Sequence, residues 1–334
     1  MLANVQIQNF KSIRDLSFEA RRVNLFIGEP NTGKTNILEA LALLSEGVHG
    51  PSEFKDVFRF RSVADLFTDQ QVTNPVTVAT SECRCILSFD GQNFQFVAKR
   101  PQSGEQEPLT ELNMHQVEQE QRYILTQTGP QTSWVNLQYG IKYYQFKPGA
   151  AKTQAIGSFQ PPFGANLTSI LYTNKSLRRH VSDLFRTRNF SLEIRPVENE
   201  LRIAKTIDDE LFSFPYDTIS ETWKRLVFYM AVLETNQNST ILLDEPEANT
   251  FPLYTAYFAE RIALDESNQF FLTTHNPYIL GSIVGKTPVK DLAVFVATME
   301  NFCTQIRLVP VDGLSKILDY GPDAFLNLEK VLEA

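Results

Sequence analysis

Little in this sequence could cross-link the chain or chelate a metal. Its three cysteines, Cys83, Cys85 and Cys303, form neither an even set nor a metal-ligand spacing, and they read as free thiols in a reducing compartment. Cys83 and Cys85 stand two apart, so on a strand they would share a face. The four histidines, His49, His115, His180 and His275, lie far apart, and no zinc motif is visible. Long apolar runs are missing too. The longest, LVFYMAVL from Leu226, fits one core helix and falls well short of the about 18 residues of a membrane span. The N-terminal MLANVQIQNFKSI has no signal-peptide core, so a cytoplasmic protein is expected. Sustained heptads and internal repeats are absent, which speaks against a long coiled coil or a repeat array. Basic residues are in the minority: 31 Lys and Arg against 39 Asp and Glu leave a net charge of −8. That argues against nucleic acid over the whole surface while leaving room for a local basic groove.

What is present is ordinary for a globular protein, with 43% hydrophobic and 21% charged residues. A chain of 334 residues is long enough for two domains, or one large domain with an insertion, at roughly 150 residues per domain. Three stretches differ in character. Residues 1–100 are strand-rich (NVQIQNF, DLSFEA, VNLFIG), and CRCILSFDGQNFQFVAKR is a hairpin turning at Asp90–Gly91. Residues 101–215 are weaker in pattern: RPQSGEQEPLTELNMHQVEQEQ predicts a loop or short exposed helix, PGAAKTQAIGSFQPPFG is irregular, and ANLTSILYTNKSLRRHVSDLFRTR has helical spacing. Residues 216–334 alternate helices with buried strands. ISETWKRLVFYMAVLE puts Ile219, Trp223, Leu226, Val227, Met230 and Leu233 on one face, STILLDEPE and NQFFLTTHNP are apolar strands, and PLYTAYFAERIALD is a helix between them. DLAVFVATMENFCTQIRLV predicts two strands joined by a turn. The expected fold is α/β: a mainly parallel sheet flanked by helices, with an N-terminal antiparallel β subdomain and a helical and β insertion.

Gly28-Glu29-Pro30-Asn31-Thr32-Gly33-Lys34-Thr35 has the G-x-x-x-x-G-K-[ST] spacing of a phosphate cradle, between the strand VNLFI and the helix TNILEALALL. The glycines let backbone N–H groups turn onto phosphate oxygens at a helix N-terminus. Lys34 is expected on the β- and γ-phosphates and the Thr35 hydroxyl on Mg²⁺, with Gly28, Pro30, Asn31, Thr32, Gly33 and Asn36 completing the contact with ATP. Downstream, ILLDEPE ends a strand in two carboxylates. Asp244 can hold Mg²⁺ directly or through water, and Glu245 can polarise the attacking water, as phosphoryl transfer requires. On its own that pair would be a solvated acidic turn. His275 closes the next apolar strand and could bond the γ-phosphate, since ends of neighbouring parallel strands meet at one edge. Ser220 leads the ISETWKR helix, either as a plain N-cap or as an anion contact. NKSLRRHVSDLFRTR gathers Lys175, Arg178, Arg179, His180, Arg186 and Arg188; it is a solvated face, or a contact for DNA or an acidic partner.

The order of phosphate loop, Ser-led helix, Asp-Glu strand and terminal His resembles the ABC-type ATPase heads of the SMC, DNA-repair and OLD-nuclease group. With PPFGANL, ISETWKR, DEPEA and NQFFLTTHNP, it is most similar to the short bacterial AAA/ABC ATPases of that group, which often accompany a nuclease in anti-phage systems such as PARIS. The resemblance implies two heads enclosing two ATP molecules, with Ser220 acting in trans on the partner's nucleotide, Arg225 at a position where such heads often carry arginine, Glu245 as general base and His275 as a switch. It also implies a glutamine near Mg²⁺, for which Gln145, Gln70 and Gln71 are all open. Two features depart from it: Thr222 stands where a glycine is usual, and Asn249-Thr250-Phe251-Pro252 replaces a His-rich stretch. No room for a nuclease domain is expected before Ala334, so an effector would be a separate protein. The leading expectation is an ATP-hydrolysing, homo-oligomeric sensor controlling that effector; the alternatives are a DNA-clamping repair ATPase and a nucleotide-bound scaffold with negligible hydrolysis.

Overall fold

The computed structural model describes residues 1–48, 50–101, 117–125, 139–150 and 152–333. Strands β1 (Asn4–Phe10), β2 (Ile13–Glu19) and β3 (Val23–Ile27) lead into helices α1 (Lys34–Ala42) and α2 (Pro51–Val57). Strands β4 (Val76–Thr80), β5 (Arg84–Phe89), β6 (Phe94–Pro101), β7 (Val117–Leu125) and β8 (Ile141–Tyr144) follow. Next come α3 (Leu167–Thr173), α4 (Lys175–Arg186) and a meander of β9 (Ser191–Arg195), β10 (Glu200–Ile207) and β11 (Glu210–Pro215). The rest alternates α5 (Glu221–Thr235), β12 (Thr240–Asp244), α6 (Pro252–Leu264), β13 (Gln269–Thr273) and α7 (Pro277–Lys286). It closes on β14 (Leu292–Glu300), β15 (Cys303–Leu308), α8 (Val311–Tyr320) and α9 (Leu328–Leu332).

The central sheet runs β15-β14-β3-β13-β12-β8, parallel except for the β14–β15 hairpin. Side-chain alternation along these strands divides two cores. Val23, Leu25 and Ile27 of β3, Ile241 and Leu243 of β12, and Phe270 and Leu272 of β13 face the core built with α5, α6 and α7. Phe26, Leu242 and Phe271 face the opposite core, shared with α1 and the antiparallel sheet. Burial on both faces is why these strands read as unbroken apolar runs. Asn24 is the polar interruption in β3; its amide spans Arg21 and the Phe270 carbonyl at 3.0 Å, so none of its groups is stranded.

The second sheet, β2-β1-β4-β5-β6-β7, is antiparallel and forms the N-terminal subdomain. Its β5–β6 hairpin turns at Asp90, whose carboxylate accepts from the Gln92 and Asn93 amides at 2.9 and 2.7 Å. The expected loop or short helix over residues 100–121 is corrected in part: Val117–Leu125 pairs with β6 as a strand, and residues 102–116 lie outside the described residues. The helical stretch near residue 170 is two helices, because Asn174 leaves helical geometry and caps α4 by accepting from the Leu177 amide at 3.0 Å. The three-stranded β9–β11 sheet was not anticipated as such. In α5, burial is not confined to one face, since every residue from Leu226 to Leu233 is buried. Among the described residues, no helix is long and apolar enough to cross a membrane.

Candidate active site

The cradle forms where β3 ends against its neighbours. Gly28 has φ 141°, and a Cβ there would stand 2.4 Å from the Ala297 carbonyl oxygen of β14. Gly33 has φ 86°, and its Cβ would meet the Thr304 hydroxyl at 1.9 Å. Both positions therefore exclude a side chain, by backbone sterics and by space. α1 then begins at Lys34 with no side-chain cap, so its first N–H groups point free into the loop. The Lys34 ammonium folds back on the loop, donating to the Gly28 carbonyl at 3.1 Å, the Glu29 carbonyl at 2.6 Å and the Thr32 hydroxyl at 3.2 Å. Burial lowers its pKa, against the pull of the Glu245 and Asp244 carboxylates.

Asp244, the last residue of β12, accepts from the Thr35 hydroxyl at 3.1 Å and from the Thr273 hydroxyl at 2.6 Å. Thr273 pairs with Asp244 in the parallel register and also accepts from the Glu245 amide at 3.0 Å. Glu245 sits in the left-handed region (φ 43°), a strained conformation for a non-glycine residue that recurs at functional sites. Its Oε1 lies 3.3 Å from Nε2 of His275. Burial, then the Lys34 cation, lowers the His275 pKa, with Glu245 and Asp244 opposing. The lowered pKa favours the uncharged ring, whose Nε2 stands beside the Glu245 carboxylate.

Glu245 and His275 border a cleft of 400 Å³ lined also by residues 30–36, Ser12, Arg59 and Met299, with Asp244 and Thr273 behind it. Pro30, Asn31, Thr32, Gly33, Lys34, Thr35 and Asn36 thus share one surface, while Gly28 stands behind it against Ala297. Asn36 donates to Ser12 at 2.7 Å, and Ser12 is 2.6 Å from Thr304. Sequence reasoning missed Ser12, Arg59, Thr273 and Met299. Arg59 arrives through Glu39 of α1, whose fully buried carboxylate accepts from its Nε at 2.9 Å and also bonds Lys11.

Other expected residues are elsewhere in the chain. Ser220 is the residue before α5, its hydroxyl caps nothing there, and it lines a different cavity, with Trp223. Arg225 bonds Glu221 at 2.8 Å and stacks 4.9 Å over Phe146. Thr222 donates to the Asn249 carbonyl at 2.9 Å, tying the helix start to the loop after Glu245. Gln145 follows the β8–β12 register pair Tyr144–Leu243, which sets it level with Asp244. Gln70 and Gln71 are exposed on the other sheet's side, and the Gln70 amide is engaged by Asp65 at 2.8 Å. On α4, Leu177, Val181 and Phe185 are buried, Arg186 pairs with Asp183 at 3.1 Å, His180 with Glu234 at 2.7 Å, and Arg178 donates to the Tyr172 carbonyl.

Glu247 was also missed. It is 8% exposed, accepts from the Thr274 hydroxyl and the His275 amide, and has a second oxygen with no protein partner. Burial pushes its pKa up to about 7, against those two hydrogen bonds. Its folded pKa exceeds its unfolded value, so its contribution is full below about pH 4.5 and is lost as pH rises through about 7. The limit is about 3 kcal/mol, from about 1.4 kcal/mol per unit. Glu247→Gln, uncharged at every pH, is expected to flatten that decline in urea unfolding series at pH 5, 7 and 9.

The donor set suits a hard cation bound with a triphosphate. Thr35 and Asp244 offer one hydroxyl and one carboxylate already in contact. Among the described residues, no three His, Cys, Asp or Glu side chains form a chelating cluster. Mg²⁺ is commonly held by one or two carboxylates plus phosphate oxygens, and it would supply charge neutralisation between the phosphates here. In this arrangement Lys34 and the α1 N-terminus can meet an anion, and the Glu245 carboxylate, with His275 beside it, can accept a proton from a water in the cleft.

Two family models match: residues 1–126 match one described as "AAA ATPase domain", and residues 141–281 one described as "AAA domain, putative AbiEii toxin, Type IV TA system". Among solved structures, an SMC head bound to the C-terminal winged-helix domain of ScpA is similar at 12% identity, TM-score 0.51, over 94% of this chain and 99% of that one. An SMC head domain from Thermotoga maritima shares 18% identity over 93% of this chain and 99% of that one, at TM-score 0.42. No curated protein matches the chain significantly. The chain is thus similar in sequence to AAA ATPase domains over residues 1–126 and 141–281, and its fold is that of an SMC head.

Proposed function

We propose that the protein hydrolyses ATP in a head-to-tail pair of copies, and that the closing and opening of the pair regulates a separate effector, a nuclease or toxin of bacterial anti-phage defence. The observation that carries the reading is a division within one chain. Lys34, Thr35, Glu245 and His275 line one cleft, with Asp244 bonded to Thr35 behind it, while Ser220 stands outside that cleft at an uncapped helix start. A free hydroxyl at a helix N-terminus is a ready anion contact, and a second copy can bring it to the nucleotide that the first one holds. The toxin–antitoxin description of the model matching residues 141–281 supports the defence assignment. Gln145, level with Asp244, is the glutamine we assign to the metal side. On the basic face of α4, Arg186 and Arg178 are engaged by Asp183 and the Tyr172 carbonyl, which favours regulation of a protein over clamping of DNA.

The test is solution mass by light scattering of a Glu245→Gln chain. Mass is expected to double with Mg-ATP and to stay monomeric in Glu245→Gln/Ser220→Arg. A Glu245→Gln chain that binds ATP and remains a monomer would refute the pairing.

A further inference from the structure

The β14–β15 hairpin turns on two residues, Asn301 and Phe302, both left-handed with φ 49° and 62°. Two-residue turns of this hand take Asn then Gly by default, because the second place also needs positive φ. Here that place holds a phenylalanine 89% exposed to solvent. A bulky side chain in strained backbone, with its ring in water, is unfavourable twice over and points to a contact made elsewhere. The tip also stands beside the nucleotide cleft. Met299 lines that cleft and pairs across the hairpin with Thr304, one residue pair below the turn.

A groove that suits this tip lies on the same chain, beside Ser220. It has a volume of 640 Å³, and Phe185, Ile203, Phe214 and Trp223 line it together with Ser220 itself. The Phe185 and Trp223 rings are 4.7 Å apart, and Lys205 sits 5.6 Å from the Phe214 ring centroid. Arg188 and Lys205 give the groove two cations. The hairpin offers the complement, an apolar ring and, two residues before it, Glu300, whose side chain is 58% exposed and meets Arg307 of its own hairpin only loosely, at 3.9 Å.

We propose that the Phe302 tip of one copy seats in the groove beside Ser220 of a second copy, ring against the aromatic walls and Glu300 toward Arg188 and Lys205. This deepens the two-copy reading above and rests on it. If Ser220 reaches the partner's phosphates, the groove it lines meets whatever borders the partner's cleft, and the hairpin does. A two-fold pair makes the contact twice, once on each side. Aromatic anchors seated in pockets are typical energetic centres of protein interfaces.

The experiment uses the full chain in the Glu245→Gln background with Mg-ATP. Phe302→Asp is expected to raise the dimer dissociation constant at least tenfold, with monomer melting temperature and ATP affinity unchanged. A photoreactive benzoylphenylalanine at position 302 is expected to cross-link to residues 185–223 of a second copy, and only when ATP is present. Mass doubling with an unaltered dissociation constant in Phe302→Asp would overturn the docking and leave the pairing standing. So would a cross-link to any other segment. Failure of the mass to double at all would remove the pairing, and the docking with it.

Discussion

Glu245→Gln is expected to lower kcat for phosphate release by about 10²- to 10⁴-fold, the range for loss of a positioned general base. The amide keeps the size of the carboxylate and can still meet Nε2 of His275, now 3.3 Å from Oε1. It cannot take a proton from water. Lys34, Thr35 and Asp244, to which the proposal gives the anion and the cation, are untouched, so affinity for ATP is expected to stay within a few-fold. Multiple-turnover phosphate release alongside titration with a fluorescent ATP analogue separates the two quantities. A kcat within fivefold of the parent would remove Glu245 from the role of base and leave the cleft as a binding site. It would also favour a scaffold that turns over little nucleotide.

The second large effect is on stability, at Glu39. Its carboxylate is fully buried inside α1 and serves two cations, Lys11 and Arg59. The Lys11 side chain is 13% exposed and also donates to the Phe58 carbonyl at 3.0 Å; burial lowers its pKa, with Glu39 the largest opposing influence. Glu39→Ala leaves that ammonium without its counter-charge and opens a void beneath the cradle helix. The expected cost is about 3–5 kcal/mol, the usual result of removing one partner of a buried pair. Replacing both members, as in Lys11→Met/Glu39→Leu, is expected to recover most of it, and equilibrium urea unfolding reads both. Arg59 should then lose its fixed place in the cleft, so the rescued double variant would fold well and hydrolyse ATP less well.

The parts of the site legible in the sequence are those that one continuous stretch of backbone builds. Gly28 to Thr35 is such a device, and so is the apolar strand that delivers Asp244 and Glu245. Thr273 was hidden because a threonine inside FFLTTH reads as one more β-branched strand residue; it becomes a partner of Asp244 only through the β12–β13 register. Glu39 was hidden for the same reason: nothing near it in sequence says that Lys11 and Arg59 will close on it. The β9–β11 sheet carries a local signal in the Asp208–Asp209 pair, with φ 48° and 66° at a two-residue hairpin. The mainly parallel sheet was legible as a class from its buried strands. The edge place of β8 was not, since IKYY is short and its pairing with β12 spans about a hundred residues.

The position of β3 between β13 and β14 has a consequence for the chain as it is made. Val23 pairs with Phe270 on one side and Leu292 on the other, so both neighbours of this apolar strand are translated roughly 250 residues after it. At about 5–20 residues per second, the ribosome leaves that strand without its permanent partners for roughly 12–50 s. Closure of the sheet around the cradle is thus a late event of biosynthesis, and the antiparallel subdomain, complete much earlier, is the element available to shelter the exposed strand meanwhile. Slowing translation near residue 270 should lengthen the window in which nascent chains are captured by holdase chaperones, an effect absent from refolding of the finished protein.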